Sequence, residues 1–241
     1  MDGLLTIAVP KGRLLTDSLR ILELAGFPCS IDDDTRKLMF ESGDIRFILT
    51  RPGDVPVYVD YGAADVGIVG KDVLMEEGRD VYELLDLGFG FCRFVVAAPR
   101  AAAREASIAV SGPGRARGRI RVATKFPRVA EAFFKERGIH AEIIPLRGAT
   151  ELAPQAGLAE IVVDIVSTGR TLAENDLVVI SEIGTATARL IANRASFGLK
   201  AARIRALVEA LRGVLAGEAG SARQVDSKSS AGPGGEGGVP R

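Results

Sequence analysis

Ile161-Val162-Val163-Asp164-Ile165-Val166-Ser167-Thr168-Gly169-Arg170-Thr171-Leu172 is the stretch on which the fold turns. An apolar, β-branched run leads to one carboxylate and then to a small turn rich in hydroxyls and glycine. Thr171-Leu172-Ala173-Glu174 follows, and its spacing predicts a helix capping box. A strand that feeds a helix through such a turn surrounds a phosphate with backbone N–H groups and hydroxyls, and the helix N-terminus adds partial positive charge. Asp164, at the strand's carboxyl end, would repel a phosphate but accept hydrogen bonds from ribose hydroxyls. Together these features suit a sugar phosphate. The plain alternative is an ordinary strand–turn–helix with Thr168 and Gly169 as turn residues.

Working outward, the same alternation recurs. Leu4–Val9 reads as a buried strand, and after Pro10-Lys11-Gly12-Arg13 the residues Leu15, Leu19, Leu22 and Ala25 keep helical spacing up to Gly26. Further strands are expected at 37–40, 45–50, 66–69, 93–98, 119–124, 139–145 and 177–180. Short helices are expected from Pro56 and over 127–137, with Gly138 as the stop of the second. Strands alternating with helices predict an α/β protein with mainly parallel sheets. The Ala-, Gly- and Arg-rich 101–118 reads as a mobile surface connection leading to a second lobe, and Arg115, Arg117, Arg119 and Arg121 as a solvated basic run within and after it. Near the end, Ile204, Leu207, Val208, Leu211 and Leu215 mark one face of an amphipathic helix. From Gly217 to Arg241 the composition is that of a disordered tail.

In 241 residues there is enough chain for one large domain or two small ones with a real core. Lys plus Arg and Asp plus Glu both number 31, so charge gives no argument for nucleic acid or an anionic membrane. An anionic ligand must then be held by local cations. Cys29 and Cys92 lack metal-ligand spacing and suit reduced thiols of a cytoplasmic protein. No stretch reads as a membrane span or secretory leader.

Several side chains fit phosphate chemistry. Lys11 and Arg13 flank a glycine in a strand-to-helix turn, where a pyrophosphate or triphosphate would meet N–H groups and cations. Arg51 directly follows a β-like run and is a second clamp candidate, while Lys71 and Asp72 follow Gly67 and Gly70, where backbone approaches a ligand closely. Lys125 and Glu151 are further candidates, although a salt-bridged surface pair would look the same. His140, the only histidine, has no nucleophile or metal-ligand neighbours and reads as structural or surface. The chain has no G-x-x-x-x-G-K-[ST] loop, so a bound ATP would react as a nucleophile rather than serve as fuel.

The opening run resembles the phosphoribosyl-pyrophosphate loop of phosphoribosyltransferases. The common class carries two adjacent acids there, and Ile165 occupies the second position, so that class fits poorly. The surrounding residues are similar to the ATP phosphoribosyltransferase family: Glu151, Gly157, Ala159, Val162, Asp164, Ile165, Thr168, Gly169, Thr171 and Leu172. So are the runs 7–14, 51–59, 64–74, 122–127, 151–154 and 188–194, in the family's order. The resemblance implies a two-lobed fold like that of periplasmic solute-binding proteins. Residues 1–95 would form lobe one, 96–184 lobe two with the phosphoribosyl loop, and 185–216 would return to lobe one.

It also implies a reaction in which adenine N1 of ATP attacks the anomeric carbon of 5-phosphoribosyl-1-pyrophosphate with inversion, releasing pyrophosphate, with Mg²⁺ as cofactor. Asp164 would meet the ribose hydroxyls, while Ser167, Thr168, Gly169, Arg170, Thr171 and Leu172 would form the loop around the 5-phosphate. Lys11, Arg13, Arg51, Lys71, Asp72 and Lys125 would bind substrate, Arg13 with a catalytic share, and Glu151 is the one candidate for proton handling. As partners the resemblance implies further copies of the chain and a regulatory subunit related to histidyl-tRNA synthetase, without which the chain is poorly active and insensitive to histidine. Two rival readings remain at this point: a two-lobed small-molecule-binding protein without catalysis, and a phosphoribosyltransferase with a different acceptor.

Overall fold

The computed structural model describes residues 4–29, 37–114 and 118–229. Its strands, in chain order, are β1 (Leu5–Pro10), β2 (Met39–Ser42), β3 (Ile45–Thr50), β4 (Val66–Gly70), β5 (Tyr82–Asp86), β6 (Cys92–Pro99), β7 (Ile120–Thr124), β8 (Ala141–Pro145), β9 (Ile161–Val166), β10 (Leu177–Ala186) and β11 (Ala188–Ala192). The helices are α1 (Leu15–Leu24), α2 (Val55–Asp60), α3 (Lys71–Glu77), α4 (Ala103–Ala109), α5 (Pro127–Glu136), α6 (Arg170–Glu174), α7 (Arg194–Leu199) and α8 (Ala201–Ser229).

These strands build two sheets, one per lobe. Lobe one is ordered β2-β3-β1-β4-β11-β5, and lobe two β10-β6-β9-β7-β8. The parallel pairing expected from strand–helix alternation is found at β3-β1-β4 and at β8-β7-β9. Antiparallel pairs complete both sheets, at β2-β3, β4-β11-β5 and β10-β6-β9, so each is mixed rather than wholly parallel. The chain crosses between the sheets at 87–91, after β5, and at Thr187, between β10 and β11.

Each lobe has its own core. In lobe one Ile7, Phe47, Ile68 and Leu190 pack beneath α1 and α8. The amphipathic stripe of α8 is spent there, with Ile204, Leu207 and Leu211 at 0% exposure. Each such side chain contributes roughly 1.5–3 kcal/mol, which is ample reason for the C-terminal helix to return to this lobe. On the other face of the sheet, Val55 and Val59 of α2 pack on Ala8 and Ile191. Gly67 is what lets them come close, because a Cβ there would lie 2.8 Å from Val55 Cγ1 and 2.9 Å from Val59 Cγ2. The backbone approach expected at Gly67 therefore serves core packing, and Gly70 makes room for the carboxylate of Asp72 rather than for a ligand. In lobe two, Phe133 and Phe134 of α5 pack on Val122, Ile161 and Val163.

Two sequence expectations change in the structure. The stretch 101–118 is not simply a loop: α4 lies within it, and Val110 (4% exposed) with Ala106 packs into the lobe-two core. Alanine's helix propensity, combined with that burial, outweighs the neighbouring glycines. Arg115 and Arg117 lie outside the described residues, whereas Arg119 and Arg121 pair with Glu142 (3.6 Å) and Glu160 (2.6 Å). The helix α8 extends through Gly217 to Ser229, and 230–241, the rest of the stretch read as a disordered tail, lie outside the described residues.

Candidate active site

The carboxyl ends of the parallel strands in both lobes point toward the crossings, where ligands of open α/β sheets bind. In lobe one, Pro10 and Thr50 are register partners at the ends of β1 and β3. Lys11 and Arg51 follow them, and the Lys11 N–H donates to Thr50 O at 2.8 Å. Both side chains are exposed, and neither ammonium nor guanidinium has a partner among the described residues. Gly12 takes φ 84° in the turn, a left-handed conformation that glycine adopts without strain. Arg13 reaches the crossing, where its Nη1 donates to Gly90 O at 3.0 Å.

In lobe two, three segments converge on Asp164. Its Oδ1 accepts from the Ile165 N–H at 2.8 Å, and its Oδ2 accepts from the Thr150 hydroxyl. Lys125, just after β7, brings its Nζ to 3.8 Å from Oδ2, and the Asp164 side chain is 14% exposed. Thr150 sits in a short turn of 3₁₀ helix, fully buried, after Ala149 in the left-handed conformation at φ 40°. Glu151 is beside it, with Oε2 at 3.5 Å from the Thr150 hydroxyl oxygen. Asp164, Lys125 and Glu151, all candidates from the sequence, come together here. Thr150 has no such signal, because nothing in a threonine that opens a turn says that its hydroxyl is aimed at a carboxylate 14 residues on.

After β9, Ser167 and Thr168 are exposed, and the Ser167 hydroxyl donates to Phe91 O at 3.4 Å. Gly169, at φ 77°, occupies the cap position of α6, so Thr171 lies inside the helix rather than at its cap. The capping box is therefore not formed: Glu174 receives the Arg170 Nε at 2.8 Å instead. Leu172 packs with Val95, Val162 and Leu177 in the lobe-two core, so its side chain anchors the loop and does not face a ligand. Ser167, Thr168, Gly169, Arg170 and Thr171 are left to line the open side.

Lys71 and Asp72 stand apart from this constellation. The Lys71 ammonium pairs with Glu83, and its backbone N–H donates to Thr187 O at 2.9 Å. Glu83 also faces Arg189, whose Nε is 3.0 Å away without hydrogen-bond alignment. Arg189 pairs with Asp86, which in turn accepts from the Gly88 N–H (2.9 Å) and the Thr187 hydroxyl (2.7 Å). This network braces both crossings. Asp72 is 6% exposed and lies near Cys92. Burial pushes the Cys92 thiol up, Asp72 adds to the shift, and Arg13 opposes it. Two open grooves, about 700 and 530 Å³, lie elsewhere on lobe two; His140 lines the first and Glu160 the second, and neither reaches Asp164. Among the described residues no helix is long and apolar enough to cross a membrane.

Two mixed α/β sheets joined by two crossings, with cations on one wall and a braced carboxylate and small polar loop on the other, define a bilobal protein of the periplasmic-binding-protein type. The periplasmic aliphatic sulphonate binding protein SsuA from Escherichia coli shares that fold at TM-score 0.55 and 14% identity, over 93% of this chain and 72% of its own. A family model described as ATP phosphoribosyltransferase matches residues 51–213. The ATP phosphoribosyltransferase of Moorella thermoacetica is 56% identical over 215 residues, 88% of this chain and 93% of that protein. Among solved structures, the ATP phosphoribosyl transferase (HisG:HisZ) complex from Thermotoga maritima matches at TM-score 0.73 and 35% identity, over 88% of this chain and 98% of that one. The chain belongs to the ATP phosphoribosyltransferase family.

Proposed function

We propose that the chain catalyses the first step of histidine biosynthesis, joining ATP to 5-phosphoribosyl-1-pyrophosphate through adenine N1 and releasing pyrophosphate. The observation that carries this reading is Asp164 at the carboxyl end of β9, braced by Thr150 and directly followed by the Ser167–Thr171 loop, within the family match.

Asp164 holds the ribose hydroxyls. Its two oxygens already take one hydrogen bond each from Thr150 and Ile165, which fixes the rotamer and leaves lone pairs for the sugar. The loop N–H groups and the hydroxyls of Ser167, Thr168 and Thr171 take the 5-phosphate. Lys11, Arg13 and Arg51 meet the pyrophosphate and the ATP triphosphate. The transition state is oxocarbenium-like, so positioning and charge stabilisation supply most of the rate. Lys125, beside Asp164 but partly exposed, offers its ammonium to a substrate phosphate. Glu151, beside Thr150, is the candidate for proton handling, although attack by N1 needs no strong base.

Among the described residues no group of three or more His, Cys, Asp or Glu side chains could hold a metal ion. Asp164 and Glu151, which share the Thr150 hydroxyl, are the carboxylates that would meet Mg²⁺ brought in on substrate phosphates and waters. Bound there, Mg²⁺ would offset the negative charge of the pyrophosphate group.

The Thermotoga maritima relative is a HisG:HisZ complex. By the same token this chain assembles with further copies of itself and with a regulatory subunit related to histidyl-tRNA synthetase, and responds to histidine only through it. The test is pyrophosphate release on mixing the purified chain, with and without that subunit, with ATP, 5-phosphoribosyl-1-pyrophosphate and Mg²⁺. Release with ATP and not with orotate or purine bases supports the reading. Tight binding with no release under either condition would leave a binding protein without catalysis.

A further inference from the structure

The lobes also meet away from the crossings, where α3 of lobe one lies against α5 of lobe two. Glu76 reaches across that boundary. One of its carboxylate oxygens accepts from the Arg128 backbone N–H and the other from that of Val129, each at 3.1 Å. Both N–H groups belong to the first turn of α5, where an α-helix has no internal partner for them. Pro127 at the helix start has no N–H, and Phe126 at the cap position supplies no side-chain cap. The capping carboxylate, usually local, is here supplied by the other lobe, and its full negative charge also suits the helix dipole.

The packing at this point is close on purpose of geometry as well as charge. Gly78 ends α3 at φ 58°, and a Cβ there would collide with the Arg128 guanidinium. Donors and acceptor thus sit in different lobes, so opening the cleft has to break both hydrogen bonds together. The same turn of α5 begins two residues after Lys125, whose ammonium lies 3.8 Å from Asp164.

We propose that Glu76 is an interlobe latch: it caps α5 from α3, holds the lobes at a set closure, and as a positioning residue keeps Lys125 against Asp164. The latch rests on the geometry alone, and its effect on turnover rests on the phosphoribosyl reading.

The test pairs Glu76→Ala with the near-isosteric Glu76→Gln, which keeps one acceptor oxygen. Amide hydrogen exchange is followed at Arg128 and Val129. Interlobe distances are read between spin labels on Leu24→Cys (α1) and Arg104→Cys (α4) in a Cys29→Ser background. For Glu76→Ala, exchange at the two amides should speed up by about five- to tenfold, the typical worth of a helix cap. The interlobe distances should broaden toward longer values, and Glu76→Gln should fall between it and the parent. In turnover assays the Michaelis constants should rise with little change in kcat, and Glu76→Gln should restore part of the difference. Unchanged exchange overturns the proposal, and so does faster exchange with unchanged distances, which would make Glu76 a local cap only. Neither readout needs activity, so a parent chain that releases no pyrophosphate would sink the functional reading and leave the latch standing.

Discussion

Asp65 in lobe one and Asp164 in lobe two are both carboxylates beside a lysine, and the two do opposite work. Asp65 precedes β4, at the amino end of the parallel strands of lobe one. It accepts from the Thr6 N–H (2.8 Å), the Ser196 hydroxyl (2.7 Å) and the Lys200 ammonium (2.6 Å), and is 5% exposed. Lys200 also donates to Leu4 O at 2.8 Å. This closed set ties β1 to the returning α7–α8 segment. Asp164 sits at the carboxyl end of β9, with its lysine at 3.8 Å and its outer side toward the loop. The charge is the same, Asp164 is somewhat less buried, and the main difference lies in saturation. A carboxylate whose partners are complete is a structural tie, and one left short of partners at the carboxyl end of a parallel strand is available to a ligand.

Breaking the closed set should have the largest effect. Asp65→Ala strands Lys200 against buried surface and is expected to cost about 3–5 kcal/mol of stability, measured by denaturant unfolding. A loss below about 1 kcal/mol would mean that the network is not a tie and would erase the contrast with Asp164. Asp164→Asn should lower kcat by about 100-fold, the scale of losing one preorganised electrostatic contact, while the unfolding midpoint stays near that of the parent. Near-normal turnover in the purified variant would remove Asp164 from the site.

Arg13→Ala should raise the Michaelis constant for a phosphate-bearing substrate by about tenfold, on the scale of one charge-assisted hydrogen bond. If both substrates bind as before, Arg13 only braces the crossing through Gly90. The smallest effect concerns the thiols. Burial raises Cys29 and Cys92, so their neutral forms are favoured in the fold. The stability this carries is fully present below the unfolded thiol value of about 8.5 and is lost as pH rises through the folded values. Cys92 should therefore react with a thiol reagent more slowly than free cysteine at pH 8. It should react more slowly still in Arg13→Ala, which removes the charge opposing the shift; faster reaction there would show that Arg13 does not act on it.

Much of this was legible along the chain. The β-branched run into Asp164, the Lys11–Arg13 turn and the stripe of α8 are local patterns with local causes. The antiparallel strands were harder. Tyr82–Asp86 alternates neither cleanly nor apolarly, and Ala188–Ala192 is too short to separate from a buried turn; both become strands because β4 and each other offer open edges. The capping box at Thr171 failed for a related reason. Gly169 can take the left-handed conformation that starts α6 early, and Leu172 is drawn into the core, which together rotate Thr171 inside the helix.

Local sequence by itself determined where strands hand over to helices, which carboxylate sits in front of a glycine-containing turn, and which family the chain resembles, since all three depend on neighbours a few residues apart. Only tertiary structure decided which carboxylates are saturated. Asp65 meets Lys200 and Asp164 meets Thr150 and Lys125 through strand pairing and helix packing. The hydrogen-bonding capacity left on a buried carboxylate depends on distant groups that only the folded chain brings within reach.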